Sequence, residues 1–86
     1  MKVETIYQFS EEQIKDVHQL YLSMPWRKKT TISQVKKMLQ SNNLTIGLCE
    51  LETKKVLAFA RGFTDYIFDA AILDVIVRSE EHTSEL

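Results

Sequence analysis

Two stretches near the end of the chain decide the fold: LAFARGFTDY at residues 57–66 and AAILDVIV at residues 70–77. Apolar residues recur in both with the spacing of β-strands, and the segment that joins them has the composition of a turn. The second stretch is apolar on both faces except at Asp74. A strand with two apolar faces is typical of the centre of a sheet, so we expect residues 70–77 to form a central strand.

A hairpin precedes these stretches. From Leu44 onward, apolar residues recur with a period of two, which predicts a strand at residues 44–51 and a second strand at residues 55–63. Because only a tight turn at residues 52–54 separates them, we expect the two strands to pair antiparallel.

Two capping boxes, Ser10 with Gln13 and Thr31 with Gln34, mark the beginnings of two helices. In each box the hydroxyl can cap the helix and the glutamine can bond back to the capping residue. Apolar residues recur at spacings of three and four after each box. We therefore predict amphipathic helices over residues 11–24 and 32–40.

A further strand is predicted at the beginning of the chain. Residues 2–9 alternate, with Val3, Thr5, Tyr7 and Phe9 on one face, and we expect that face to be buried. The predicted order is β-α-α-β-β-β, an α+β fold with a mostly antiparallel sheet and two helices.

Composition bounds the class of protein. The 86 residues, 44% hydrophobic and 27% charged, suffice for one small domain. No apolar run reaches the length of a membrane span, and the first residues lack the pattern of a secretory signal. The single cysteine, Cys49, excludes an internal disulfide and a thiolate zinc cluster and fits a reducing cytoplasm. Eleven basic and twelve acidic residues are too balanced for a nucleic-acid or membrane-surface protein.

Glycine is scarce, and the last nine residues differ in character from the rest. Two glycines in 86 residues fall well below the usual share of about 7%, which suggests that a glycine-rich part of the protein is missing. Residues 78–86, RSEEHTSEL, resemble the translation of a common sequencing adapter. We expect a domain at residues 1–77 followed by a non-native, disordered tail; the alternative is a genuine polar tail.

The stretches at residues 57–66 and 71–77 resemble the GNAT family of acetyl-CoA-dependent N-acetyltransferases. In one bacterial branch the third strand reads V-G-F-A-R-x-x-T-D and the fourth L-x-D-V-x-V. Here FAR at residues 59–61 and TD at residues 64–65 match the first pattern, with Leu57-Ala58 in place of Val-Gly. LDVIV at residues 73–77 fits the second with a shift of one residue. The predicted element order also agrees with the first half of the GNAT fold.

The resemblance implies a fragment of an enzyme that transfers an acetyl group from acetyl-CoA to a primary amine, carried by a small molecule or a peptide. The family's pyrophosphate-binding loop, Arg/Gln-x-x-Gly-x-Gly/Ala, would begin a few residues after Val77, where the sequence has none. We therefore expect this chain alone to be inactive. A cytoplasmic protein, and a homodimer as in many members, are further expectations.

The resemblance also implies site residues on the fourth strand. The backbones of Val75, Ile76 and Val77 would hold the pantetheine arm and the acetyl carbonyl of acetyl-CoA. Asp74 has two interpretations: burial would raise its pKa, as suits a general base, or it is a structural carboxylate bonded to the backbone or to Arg61.

Five residues fall on the side of the fold where the family's acceptor amine enters. Trp26 and Arg27 lie between the helices, where they could grip a substrate carboxylate, although Trp26 could instead pack over the helix pair. Arg61, Asp65 and Tyr66 lie at the end of the third strand, where Arg61 and Asp65 could instead form a surface ion pair.

No metal site is predicted, since His18 has no second ligand at a suitable spacing. A second functional class stays open: a non-catalytic α+β interaction domain that pairs with a partner through its last strand.

Overall fold

A computed structural model describes residues 2–78 and contains the predicted elements in the predicted order. They are β1 (Val3–Ile6), α1 (Glu11–Leu22), a 3₁₀ turn (Pro25–Arg27), α2 (Ile32–Ser41), β2 (Leu44–Glu50), β3 (Val56–Thr64) and β4 (Ala70–Val77). The expected α+β class is confirmed. The predicted non-native tail, apart from Arg78, lies outside the described residues.

Both helices begin at their predicted capping boxes. The Ser10 hydroxyl accepts the Gln13 N–H at 3.2 Å, and the Gln13 side chain accepts the Ser10 N–H at 3.0 Å. Thr31 and Gln34 repeat this reciprocal pair at 3.2 and 2.9 Å. Helix α1 ends two residues earlier than predicted because Met24, which precedes Pro25, is extended, with φ −90° and ψ 130°.

The four strands form one antiparallel sheet in the order β1-β2-β3-β4. Arg61 pairs with Asp74, but Gly62 pairs with Ile72, so Leu73 is an extra residue that forms a β-bulge. Gly62 permits this close pairing, since a Cβ at that position would overlap the carbonyl oxygen of Ala71.

The core lies between the helices and one face of the sheet. The Phe59 ring stands at its centre and meets Phe9 and Tyr21 edge-on, with centroid distances of 5.5 and 6.2 Å. The buried apolar residues of this core are Val17, Leu20, Tyr21, Val35, Val56, Phe59 and Ile76.

Strand β1 has the opposite face orientation to the predicted one. Val3 and Tyr7 are exposed, whereas Ile6 packs against the core. The predicted alternation does not reach Phe9, because the strand ends at Ile6 and the chain bends there, so Phe9 contacts the core from outside the strand. The inward position before Ile6 belongs to Glu4, whose carboxylate binds Lys54 at 2.8 Å and lies 3.6 Å from the fully buried thiol of Cys49.

The position of β4 also differs from the prediction. Within residues 2–78 it is an edge strand, and the side chains of Val75 and Val77 are 68% and 69% exposed. Ile76 is the position of this strand that is buried in the core. The prediction assumes that both apolar faces of β4 are buried. In the described residues the helices cover one face, and the other face, with Val75 and Val77, is exposed. None of the described helices is long and apolar enough to cross a membrane.

Candidate functional site

Asp74 binds two side chains from other elements. Arg61 on β3 donates its Nε–H to Asp74 Oδ2 at 2.6 Å, and Tyr21 on α1 donates its hydroxyl to the same oxygen at 2.9 Å. The Arg61 and Asp74 side chains are only 20% and 10% exposed. The bulge at Leu73 supports this arrangement because it sets Asp74 opposite Arg61 on the helix side of the sheet. We call Tyr21, Arg61 and Asp74 the carboxylate cluster.

The electrostatics of this cluster differ from those predicted for Asp74. Burial raises the pKa of its carboxyl, but the hydrogen bonds from Arg61 and Tyr21 outweigh burial and hold that pKa below its usual range. The expected rise is therefore not found, because Asp74 is paired rather than isolated. Burial, and then the hydrogen bond to Asp74, raise the pKa of Tyr21 far above its ordinary value, so its hydroxyl stays a donor.

A cavity of about 230 Å³ adjoins the carboxylate cluster, between α1, α2, the 3₁₀ turn and β3. We call it the arginine cavity, because Arg27 and Arg61 both line it. The Arg27 Nε is buried and has no hydrogen-bond partner among the described residues. Thr30 and Gln34 add polar groups to the wall, and Val35 and Met38 form its apolar part.

The structure thus brings together two of the five predicted substrate residues, Arg27 and Arg61. Trp26 does not line the arginine cavity and is 73% exposed. The alternative prediction, that Trp26 packs over the helix pair, is wrong, because a packed indole would be largely buried.

Asp65 and Tyr66 organise the turn between β3 and β4 and do not line the cavity. Asp65 Oδ1 accepts the backbone N–H groups of the next residues, Ile67 and Phe68 at 2.9 Å and Asp69 at 3.2 Å, and these bonds lower its pKa. Tyr66, with a φ of 64°, donates its hydroxyl to the Asn43 carbonyl at 2.6 Å. The predicted Arg61–Asp65 ion pair is wrong, because Arg61 binds Asp74 across the ladder.

The three residues expected to hold acetyl-CoA fall into two groups. Arg78 donates its N–H to the Leu57 carbonyl of β3 at 2.7 Å. Since bonding alternates along an antiparallel strand, Ile76 also points its backbone groups toward β3, and Val75 and Val77 point theirs to the open edge. The side chains of Val75 and Val77 line a groove on the face away from the helices, with Ile46, Leu48, Ala58 and Ala60.

Sequence analysis does not identify Tyr21 as a site residue. The available signal was the hydroxyl itself, because a tyrosine on a buried helix face usually needs a hydrogen-bond partner. Thr30 and Gln34 are not identified as cavity residues either; the Thr30 carbonyl lies 2.7 Å from Nε2 of His18. Within residues 2–78, no group of three or more His, Cys, Asp and Glu side chains could hold a metal ion.

Comparison with known proteins gives matches in structure. No family model and no curated protein matches the sequence. A proposed acetyltransferase of the GNAT family from Xanthomonas campestris pv. campestris matches with a TM-score of 0.70 and 25% identity, covering 95% of this chain and 56% of that one. A Staphylococcus aureus protein of unknown function, suggested to be an acetyltransferase, matches with a TM-score of 0.67 and 17% identity, covering 98% of this chain and 68% of that one.

This chain therefore spans a little over half of the first structure and about two thirds of the second. The two matches extend over nearly all of this chain, and so include both helices and the four-stranded antiparallel sheet. The described residues have a GNAT-like acetyltransferase fold.

Proposed function

We propose that the protein containing this chain transfers an acetyl group from acetyl-CoA to a primary amine. The observation that carries the proposal is the structural likeness to the Xanthomonas protein, with a TM-score of 0.70 over 95% of this chain. In the reaction, the amine nitrogen forms a bond to the thioester carbon and the carbon–sulfur bond breaks. The proton lost by the amine balances the proton that converts the leaving thiolate into the thiol of coenzyme A.

The open edge of β4 is the proposed site of the pantetheine arm. An extended ligand beside a strand can bind as an added strand would, through backbone hydrogen bonds. Val75 and Val77 supply the outward N–H and carbonyl groups, and Ile76 anchors the strand in the core. An outward N–H near the thioester oxygen would stabilise the charge that develops there in the tetrahedral intermediate.

Asp74 precedes these residues, and we assign it a positioning role rather than the role of general base. Its lowered pKa makes it a weak proton acceptor, and both hydrogen bonds at Oδ2 are directed at protein groups. It fixes the Arg61 guanidinium beside the arginine cavity. The amine proton would then leave to ordered water or to a residue outside the described range.

Because this chain covers only 56% of the Xanthomonas protein, we further propose that activity requires a longer protein than these 86 residues. The other candidate, a non-catalytic domain that pairs through its last strand, is favoured by one observation: the exposed apolar side chains on the edge strand β4. Cytoplasmic location and a homodimer remain proposals from the family resemblance.

The test begins by sequencing the gene through codon 77 with long reads, and then expressing the resulting protein. We expect an Arg/Gln-x-x-Gly-x-Gly/Ala loop in the frame and a rise in melting temperature with acetyl-CoA. Acetyl-CoA at 100 times its dissociation constant should add about 2.7 kcal/mol to the free energy of unfolding. No shift in melting temperature would favour the interaction domain.

A pair of variants tests the backbone site. Val77→Pro removes one outward N–H and should leave the ladder to β3 in place, since proline is tolerated at an edge strand's open side. We expect Val77→Pro to fold but lose acetyl-CoA binding, whereas Val77→Ile, which keeps the N–H, binds normally. Equal binding by both variants would remove Val77 from the site.

A further inference from the structure

We propose that the arginine cavity selects an acceptor amine that also carries a carboxylate, and that Arg27 is the residue that binds this carboxylate. The inference rests on the proposed function, because an acceptor amine requires an acetyltransferase. The anion site itself depends only on the residues of the cavity. A carboxylate site beside the acceptor amine would select a small amino-acid-like substrate rather than a polyamine or another polycation.

The two guanidinium groups of the cavity are not equivalent. Arg61 already donates its Nε–H to Asp74, and the Asp74 carboxylate balances its charge. Within residues 2–78, Arg27 has no ion-pair partner, and its buried Nε has no acceptor. A buried donor without an acceptor is rare in folded proteins, because desolvating it costs free energy that no bond returns. Arg27 is thus a charged group at the cavity wall that no described residue pairs with.

The charge and the size of the cavity indicate the ligand. None of the described lining residues is acidic. Because Asp74 balances the charge of Arg61, Arg27 supplies the one unbalanced positive charge of the cavity, which suits a carboxylate better than a doubly charged phosphate. A guanidinium can hold a carboxylate through two parallel hydrogen bonds. Val35 and Met38 offer apolar contact for a short aliphatic chain, and about 230 Å³ is small even among ligand pockets.

The carboxylate cluster connects the cavity to the strand of the proposed acetyl-CoA site. Arg61 lines the cavity and pairs with Asp74, the residue directly before Val75. A ligand whose carboxylate binds Arg27 could therefore extend its other end along the carboxylate cluster toward the edge of β4. An amine on a polycationic molecule would instead have to bring further positive charges against Arg27 and Arg61.

The first experiment uses this chain with pentanoate as the probe, and with pentylamine and inorganic phosphate as comparison probes. Nuclear magnetic resonance would follow the Nε–Hε signals of the arginines. We expect pentanoate to move the Arg27 signal most, and to bind at least tenfold more tightly than pentylamine or phosphate. Tighter binding of either comparison probe would overturn the proposal.

Matched variants separate a local contact from general charge. Arg27→Gln should weaken pentanoate binding at least tenfold, whereas Lys29→Gln, which removes the same charge from an exposed neighbour, should change it less than twofold. Should Arg27→Gln fail to fold, Arg27→Lys keeps the charge but removes the fork of donors, and it too should lose most of the affinity. Equal losses in the position 27 and position 29 variants would overturn the proposal.

A second experiment distinguishes this inference from the proposed function. In the longer protein, 5-aminopentanoate should be acetylated with a kcat/KM at least tenfold above that of 1,5-diaminopentane, and Arg27→Gln should remove the difference. Preference for the diamine would overturn the inference while leaving an acetyltransferase. Pentanoate binding at Arg27 without any acetyl-CoA binding would overturn the proposed function while leaving the carboxylate site.

Discussion

At the scale of single residues, one oxygen atom connects three elements. Asp74 Oδ2 accepts from Arg61 of β3 and from Tyr21 of α1, so a single carboxylate ties the sheet edge to the helix that covers it. All three side chains are largely removed from water, and the removal of one partner would leave the others with unmatched polar groups.

The Asp74→Asn variant should therefore destabilise the fold in a pH-dependent way. The folded pKa of Asp74 is lowered, so its contribution is fully present above the unfolded value of about 3.9 and disappears as the pH falls through the folded pKa. We expect a loss of about 2 kcal/mol at pH 7, measured by urea unfolding, and a smaller loss near pH 2, because asparagine keeps the shape of the side chain but weakens the hydrogen bonds that the charged group accepts. Glu52→Gln, in the exposed turn, serves as the control. The same loss at both pH values would contradict this account.

At the scale of the elements, both helices begin with a capping box, but the capping box of α1 also bonds to another element. Gln13 and Gln34 hold equivalent positions in their capping boxes, yet Gln13 also donates to the Lys54 carbonyl at 2.9 Å. That bond links the beginning of α1 to the turn between β2 and β3, 41 residues later.

Gln13→Ala should consequently cost more than Gln34→Ala. Both variants lose the reciprocal bond of the capping box, but only the first also leaves a carbonyl in another element without its donor. We expect the difference in the free energy of unfolding to be about 1 kcal/mol, from urea titrations of both proteins. Equal costs would show that the bond to Lys54 adds nothing to stability.

The two glycines of the strands predict a second contrast. A Cβ at Gly62 would overlap the backbone of Ala71, whereas a Cβ at Gly47 would meet the side chains of Phe9 and Ile6, which can move. We expect Gly62→Ala to lower the free energy of unfolding by about 3 kcal/mol and Gly47→Ala by about 1 kcal/mol. Thermal or urea unfolding measures both, and a larger loss at position 47 would contradict the geometry of the bulge.

Sequence predicted the elements well because their signals are local. The capping boxes and the bounds of β4 follow from neighbouring residues, and the structure reproduces them. The Tyr21–Asp74 bond joins residues 53 positions apart, and no local pattern indicates it. The Arg61–Asp65 pair failed for the same reason: the register of β3 with β4, including the bulge at Leu73, decides which carboxylate Arg61 meets.

At the scale of the whole molecule, the sheet has two unlike faces. The helices cover one, and the other carries the apolar groove of β2, β3 and β4. In the described residues this groove lies next to the open edge of β4, and together they form an apolar surface that other chains can pair with.

We expect the 86-residue chain to self-associate through this surface. The double variant Val75→Thr with Val77→Thr keeps two β-branched side chains but reduces their apolar area, and it should shift the chain toward monomer in sedimentation velocity. Val3→Thr, on the exposed side of the opposite edge strand, should leave association unchanged. An equal effect of both changes would contradict an interface at β4.

The buried thiol of Cys49 is a probe of the opening of the sheet. Its thiol is fully buried, and burial, followed by the neighbouring Glu4 carboxylate, raises its pKa. A thiol reagent can therefore attack only while β2 is open, so the rate of labelling measures the fraction of molecules in which β2 is open. For a fold stable by about 5 kcal/mol, labelling should be slower than in the unfolded chain by a factor of several thousand. With one cysteine in the chain, the labelling rate reports the opening equilibrium at a single position.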